Sequence, residues 1–270
     1  MIKNDPQTGI IYRSWQVPTP QAVILLVHGL GAHSGRWNAF SKLLTSNNFS
    51  SYALELKGFG STSGLKGHIE SFDIYFRDIL ALRKIIEKEN PGKKIFLAGE
   101  SFGGLLSFSL ALKNQLPFDG LILFSPAFSI KMQVSLWTYL QVFMHLFVNP
   151  QKQFPAQLTG SMCTRDTEYQ KQLDSDPLES RLVSAKFMLN YFLAEAVARK
   201  SRAKWSMPVL FLVAGEDKIV NPQETKRIFR WLDAQDKELK KYPEMYHALS
   251  IDLGKEQVFE DILNWIKNRL

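Results

Sequence analysis

The chain has 270 residues, 45% of them hydrophobic and 22% charged, a balance that excludes a disordered chain and allows one large α/β domain with a substantial core. Its 33 Lys and Arg against 26 Asp and Glu give a net charge of +7. The basic residues are scattered, with no block of five or six, so a solvated basic surface is expected and a nucleic-acid binder is not.

The opening residues Met1 to Gly9 contain no apolar run, and no stretch approaches 18 apolar residues. The sequence therefore predicts neither a secretory leader nor a membrane span, and a cytoplasmic protein, at most peripheral at membranes. Ala22–Val27 reads as a strand buried on both faces. A helical stripe follows at Trp37, Phe40, Leu43 and Leu44, then a second strand at Tyr52–Leu56. Ser71 is placed to cap a helix striped by Phe72, Tyr75, Phe76, Ile79, Leu82 and Ile86, which Asn90-Pro91-Gly92 stops. Ile95–Ala98 is a third strand, followed by a helix from about Phe102 to Lys113. Leu121–Phe124 and Val209–Ala214 are the fourth and fifth, and Asn221-Pro222 caps the helix after the latter. Glu238–Tyr242 is a short last strand, and Val258, Phe259, Ile262, Trp265 and Ile266 stripe the closing helix. Strands alternating with helices predict a mostly parallel, doubly wound sheet.

One stretch interrupts that rhythm. Residues 126–206 show no convincing strand. Ser135–Val148 and Lys186–Val197 read as apolar helices. They predict a helical cap inserted into a core made of residues 1–125 and 207–270. The lone Cys163 can form neither an internal disulfide nor a thiol-pair metal site, and reads as a packing or surface thiol.

Gly99-Glu100-Ser101-Phe102-Gly103 fits G-x-S-x-G. The pattern alone is weak, but here it follows a buried strand and opens a helix, as a nucleophile elbow must. So tight a turn needs small neighbours, which glycine supplies at 99 and 103, with Gly104 adding room. Serine needs a base. In this architecture the chain order is serine, acid, histidine. His145 and His247 follow Ser101, and only His247 lies in a loop beside a core strand. His28 reads as a brace for its own loop. Asp217, after the strand 209–214, is the acid, with Glu216 its neighbour and rival. The backbone N–H groups of Leu30, in His28-Gly-Leu-Gly31, and of Phe102 are the expected oxyanion donors.

These motifs resemble the monoacylglycerol lipase and lysophospholipase group of α/β-hydrolases. The resemblance rests on His28-Gly-Leu-Gly-Ala-His-Ser-Gly-Arg-Trp37, Lys57-Gly-Phe-Gly-Ser-Thr-Ser-Gly64, Gly99-Glu-Ser-Phe-Gly-Gly104, Asp174-Ser-Asp-Pro177, Gly215-Glu-Asp217 and Tyr246-His247. It implies an α/β-hydrolase fold and a serine esterase acting on monoacyl lipid esters. It also implies a lipid-facing cap and neither a metal nor an organic cofactor, and it supports the same triad and oxyanion donors. Two positions depart from the family pattern. Glu100 stands where histidine is usual before the nucleophile, and Glu55-Leu-Lys-Gly-Phe-Gly60 replaces Asp-x-x-Gly-His-Gly.

Other serine chemistry on this fold, by carboxylesterases, thioesterases or aminopeptidases, shares the triad. An aminopeptidase would need a carboxylate cluster for the substrate amine, which Asp166, Glu168, Asp174 and Asp176 of the cap are the acids to supply. Trp137, Tyr139, Phe143 and Phe187 are candidates for contact with an acyl chain, and the first cap helix for transient contact with a membrane surface.

Overall fold

The computed structural model describes residues 2–113, 118–131 and 135–270. Eight strands make one sheet, in the spatial order β1 (Ile2–Asn4), β2 (Ile11–Trp15), β4 (Ser50–Glu55), β3 (Val23–Val27), β5 (Ile95–Glu100), β6 (Gly120–Phe124), β7 (Val209–Ala214), β8 (Lys237–Tyr242). From β4 to β8 every pairing is parallel. The two pairings at one edge, β1 with β2 and β2 with β4, are antiparallel.

The parallel strands read as apolar runs because both faces are covered. Alternate residues divide between two cores. Val23, Leu25, Val27, Leu97, Leu121, Leu123 and Phe211 face one side, under helices α2 (Phe72–Glu89) and α3 (Phe102–Lys113). Ile24, Leu26, Phe96, Ala98, Ile122, Phe124, Leu210 and Leu212 face the other, under α1 (Asn38–Ser46) and the C-terminal helix Lys255–Lys267. The helix starts follow local chemistry. Ser71 accepts from the Asp73 N–H and Asn221 from the Gln223 N–H, with Pro222 in the first turn. The chain thus has the α/β-hydrolase fold, a mostly parallel doubly wound sheet.

Between β6 and β7 the chain leaves the sheet. It forms α4 (Leu136–Val148), α5 (Gly160–Cys163), α6 (Thr167–Ser175) and α7 (Ala185–Lys200). The expectation of no strand here needs correction. Gln153–Pro155 pairs antiparallel with Leu182–Ser184, and Lys204–Trp205 pairs with Asp233–Ala234. Segments of two or three residues are too short to display an alternation, and they are held from outside: the Ser184 N–H donates to Gly67 O at 2.8 Å. α7 packs on the core, with Phe187 against Phe102 at 5.1 Å between ring centres and Tyr191 donating to Ala127 O at 3.2 Å. No helix among the described residues is long and apolar enough to cross a membrane.

Candidate active site

β5 runs into α3 with only Ser101 between them. Its φ of +55° lies in the left-handed region, which is costly for a residue with a Cβ. Backbone hydrogen bonds hold it there. Its N–H donates to Phe124 O at 2.8 Å, and its carbonyl accepts from Leu105 and Ala127, each at 3.0 Å. The flanking glycines are sterically required. A Cβ at Gly99 would stand 2.3 Å from Gly103 O, and one at Gly103 would stand 2.2 Å from Val27 O.

The turn aims Ser101 at the loop after β8. His247 Nε2 lies 2.7 Å from Ser101 Oγ, and Nδ1 lies 2.8 Å from Asp217 Oδ2. Asp217 is fixed in turn, since its Oδ1 accepts from the N–H groups of Ile219 at 2.8 Å and Val220 at 2.9 Å. His247 and Asp217 are both buried. The rival Glu216 is exposed and reaches the site only through its backbone N–H, which donates to Met245 O.

Burial works against a charged His247. The charge and hydrogen bond of Asp217 outweigh it, Glu100 adds to them and Arg36 subtracts, leaving the imidazole above its ordinary value of 6.5. Burial likewise opposes ionised Asp217, but His247 and the two backbone N–H groups hold its carboxyl below the usual range. A base must be neutral to accept the Ser101 proton. Hydrolysis should therefore rise with pH along a limb centred above pH 6.5, higher than an ordinary histidine would give. Measuring kcat/KM from pH 5 to 9 checks this, and a plateau already reached at pH 6 would contradict it.

The loop from His28 to Gly31 stands against the nucleophile. A Cβ on Gly29 would be 3.4 Å from Ser101 Cβ. His28 is neutral, pushed down to about 4 by burial despite nearby Glu55. Its Nε2 accepts from the Leu56 N–H at 3.1 Å and its Nδ1 faces Gly29 O at 2.9 Å, so it braces the loop. Leu30 and Phe102 border the same space as Ser101.

That space is a cavity of about 460 Å³ with Ser101 and His247 in its wall, within the range of small-ligand sites. Its other walls are mostly apolar: Ile130, Phe154, Leu158, Phe187, Met188, Tyr191, Phe192 and Ile219. Of the residues considered for acyl contact, the structure brings only Phe187 to the cavity. Trp137, Tyr139 and Phe143 are turned outward, with Trp137 66% exposed. α4 packs inward through Val142 and Leu146 against Phe154, Ala185 and Met188. Ser135, Thr138 and Gln141, spaced one turn apart, are its contribution to the cavity. Of the cavity residues that sequence reasoning missed, Met188, Tyr191 and Phe192 share a helix face with Phe187, a spacing visible in the sequence.

The four acids named for an aminopeptidase are engaged elsewhere. Asp166 caps α6, Glu168 pairs with Lys171, Asp174 pairs with Arg181, and Asp176 meets His33 at 3.0 Å. Among the described residues, His33, Asp176 and Glu179 form the one grouping with metal-ligand atoms within 4.8 Å. Arg36 already pairs with Glu179 at 2.8 Å, so a cation there would face a guanidinium. Cys163 borders the cavity, but burial pushes its thiol up to about 11, leaving it unreactive near neutrality.

The chain is similar to known proteins over most of its length. The Hydrolase_4 family, described as serine aminopeptidase, S33, matches residues 18–254. The mouse (Mus musculus) monoglyceride lipase is 28% identical over 93% of this chain and 84% of its own. Phospholipase YtpA of Bacillus subtilis is 25% identical over 92% of this chain and 95% of its own. The crystal structure of Paleococcus ferrophilus monoacylglycerol lipase superposes with a TM-score of 0.86 at 27% identity, covering 97% of this chain and 99% of that one.

Proposed function

Because the chain belongs to the Hydrolase_4 (serine aminopeptidase, S33) family of α/β-hydrolases, we propose that it hydrolyses monoacyl lipid esters, monoacylglycerols or lysophospholipids, through an acyl-enzyme on Ser101. Ser101 Oγ attacks the ester carbonyl carbon as His247 Nε2 takes its proton. Asp217 holds the ring and balances the imidazolium. The carbonyl oxygen becomes an oxyanion facing the N–H groups of Leu30 and Phe102. Collapse expels the alcohol, which leaves with the proton from His247. Water, deprotonated by His247, then releases the fatty acid by the same steps.

The observation that carries the substrate class is the apolar cavity beside Ser101. The family description names an aminopeptidase, and a peptidase cutting at a free amine needs an anion for the ammonium group. Among the described residues the only acid in the cavity wall is Glu100, and both its oxygens accept from Ser250. The relatives named monoglyceride lipase and phospholipase favour the lipid reading. Rates across monoacylglycerols, lysophospholipids, short p-nitrophenyl esters and aminoacyl amides test it. Long-chain monoacyl esters should lead and the amides should stay at background. Preferred cleavage of the amides would overturn it.

Residues 126–206 act as a cap through which the substrate enters, and α4 is the surface that meets lipid. Its outward face carries Leu136, Trp137, Leu140, Phe143, Met144 and Phe147, all exposed. A contiguous apolar face on an otherwise charged protein marks a contact surface, and Trp137 suits a lipid–water boundary. Trp137→Ser should cut hydrolysis of long-chain esters presented in vesicles several-fold. Tm and the rate on a soluble short-chain ester should hold, since the ring is 66% exposed. An equal loss on both substrates would speak against lipid contact.

A further inference from the structure

Glu100 ends β5, directly before the nucleophile, and borders the same cavity as Ser101 and His247. It is 5% exposed. One residue satisfies both its oxygens: the Ser250 N–H donates to Oε1 at 3.0 Å and Ser250 Oγ donates to Oε2 at 2.7 Å. Ser250 is buried and lies three positions after His247. A single carboxylate thus fastens the loop bearing the base to the strand bearing the nucleophile.

A buried carboxylate is costly unless hydrogen-bonded and near positive charge. Burial raises the Glu100 carboxyl above its ordinary value, and the two bonds from Ser250 with the charges of His247 and Arg36 work against that rise. The titratable groups that face Glu100 are His247, Arg36 from the turn Ser34–Trp37, and Cys163 and Tyr169 from the cap. Arg36 is committed to Glu179, with Nε and an Nη both 2.8 Å from Oε1. His247 is the group here whose charge appears during the reaction.

We propose that Glu100 is a positioning residue for the Ser101–His247 couple, holding the loop 247–250 through Ser250 and serving as a second, more distant anion for the imidazolium. When the proton passes from Ser101 Oγ to His247 Nε2, the new positive charge is balanced by Asp217 in direct contact. Glu100 balances it further from the other chain segment, and Arg36 opposes it. In a site shielded from water such an added anion favours the charged ring. The inference rests on the reading of Ser101, His247 and Asp217 as a triad.

Glu100→Gln separates charge from clasp. The amide keeps an oxygen for the Ser250 N–H and turns its NH₂ to Ser250 Oγ, which accepts from it. The His247 ring is titrated by NMR on ¹³C-histidine-labelled protein, with a His247→Gln variant identifying its signal. Its pKa should fall by roughly half a unit or more in Glu100→Gln. The acid limb of kcat/KM on a soluble p-nitrophenyl ester should move down with it, and kcat should drop several-fold at constant KM. A merely structural role would change Tm and leave the titration in place, so a His247 titration unmoved in Glu100→Gln overturns the proposal. If that variant does not fold, Ser250→Ala decides: kcat lowered several-fold at unchanged KM supports the clasp, and a wild-type kcat refutes it. The NMR titration needs no turnover, so a wild-type protein inert toward esters would sink the triad reading separately.

Discussion

Replacing Ser101 by alanine should leave a folded protein whose ester turnover is lower by about 10⁴-fold or more. In the native protein the serine hydroxyl is the one group placed 2.7 Å from a histidine already oriented by a buried carboxylate. The nearby Cys163 thiol cannot replace it as nucleophile, since burial holds that thiol up to about 11. The oxyanion donors and the cavity would survive, so a residual rate above water is expected, and the loss corresponds to about 5 kcal/mol of transition-state stabilisation. Stability should change little. Alanine keeps the Cβ and therefore the same left-handed strain at φ +55°, and the backbone bonds to Phe124, Leu105 and Ala127 do not involve the hydroxyl. Turnover of a p-nitrophenyl ester, with a melting curve on the same sample, checks both halves. Near-wild-type hydrolysis would remove Ser101 from the mechanism.

The elbow was legible in the sequence because its geometry restricts residue type. Backbone atoms of Gly103 and Val27 fill the space that side chains at 99 and 103 would need, so glycine at both positions reports the turn directly. The parallel strands β3, β5, β6 and β7 were legible because covered faces demand unbroken apolar runs. His247 and Asp217 were reached by chain order and by their places after β8 and β7. The edge strands β1 and β2 were not. In β2 the buried positions are Tyr12 and Ser14, while Ile11 and Trp15 are only partly covered, so the hydrophobic alternation that identifies a strand is scrambled.

α4 shows a different limit. Nearly every position is apolar, and periodicity cannot tell which face of such a helix turns inward. Packing against Phe154 and α7 decides it, and sends Thr138 and Gln141 to the cavity and Trp137, Tyr139 and Phe143 to solvent. Glu100 was legible as a departure from the family pattern, but its role was not. Its partner Ser250 is 150 positions away, and only the fold brings the two within 2.7 Å.

Asp217→Asn should reduce kcat by about 10⁴-fold while leaving the histidine in place. The native carboxylate divides its duties: Oδ1 takes two backbone N–H groups, from Ile219 and Val220, and Oδ2 faces His247 Nδ1. An asparagine amide has one oxygen and one NH₂. Two fixed donors await at the Oδ1 position, so the oxygen must go there and the NH₂ must face the ring. Nδ1 then has to accept rather than donate, which forces the proton onto Nε2. In that tautomer Nε2 cannot receive the Ser101 proton, although the distance to Oγ need not change. The substitution also removes the anion that holds His247 above 6.5, so the acid limb of the residual activity should move to lower pH. Asp217 itself is depressed in the folded state. It therefore contributes stability that is present above its unfolded pKa and lost as pH falls through the folded one. The variant should accordingly melt lower than wild type at pH 7 and approach it only as the pH falls below 3.8. Kinetics from pH 5 to 9, with melting curves at pH 7 and again below pH 3.8, test the three expectations, and a fall in kcat of less than tenfold would show that Asp217 does not set the tautomer.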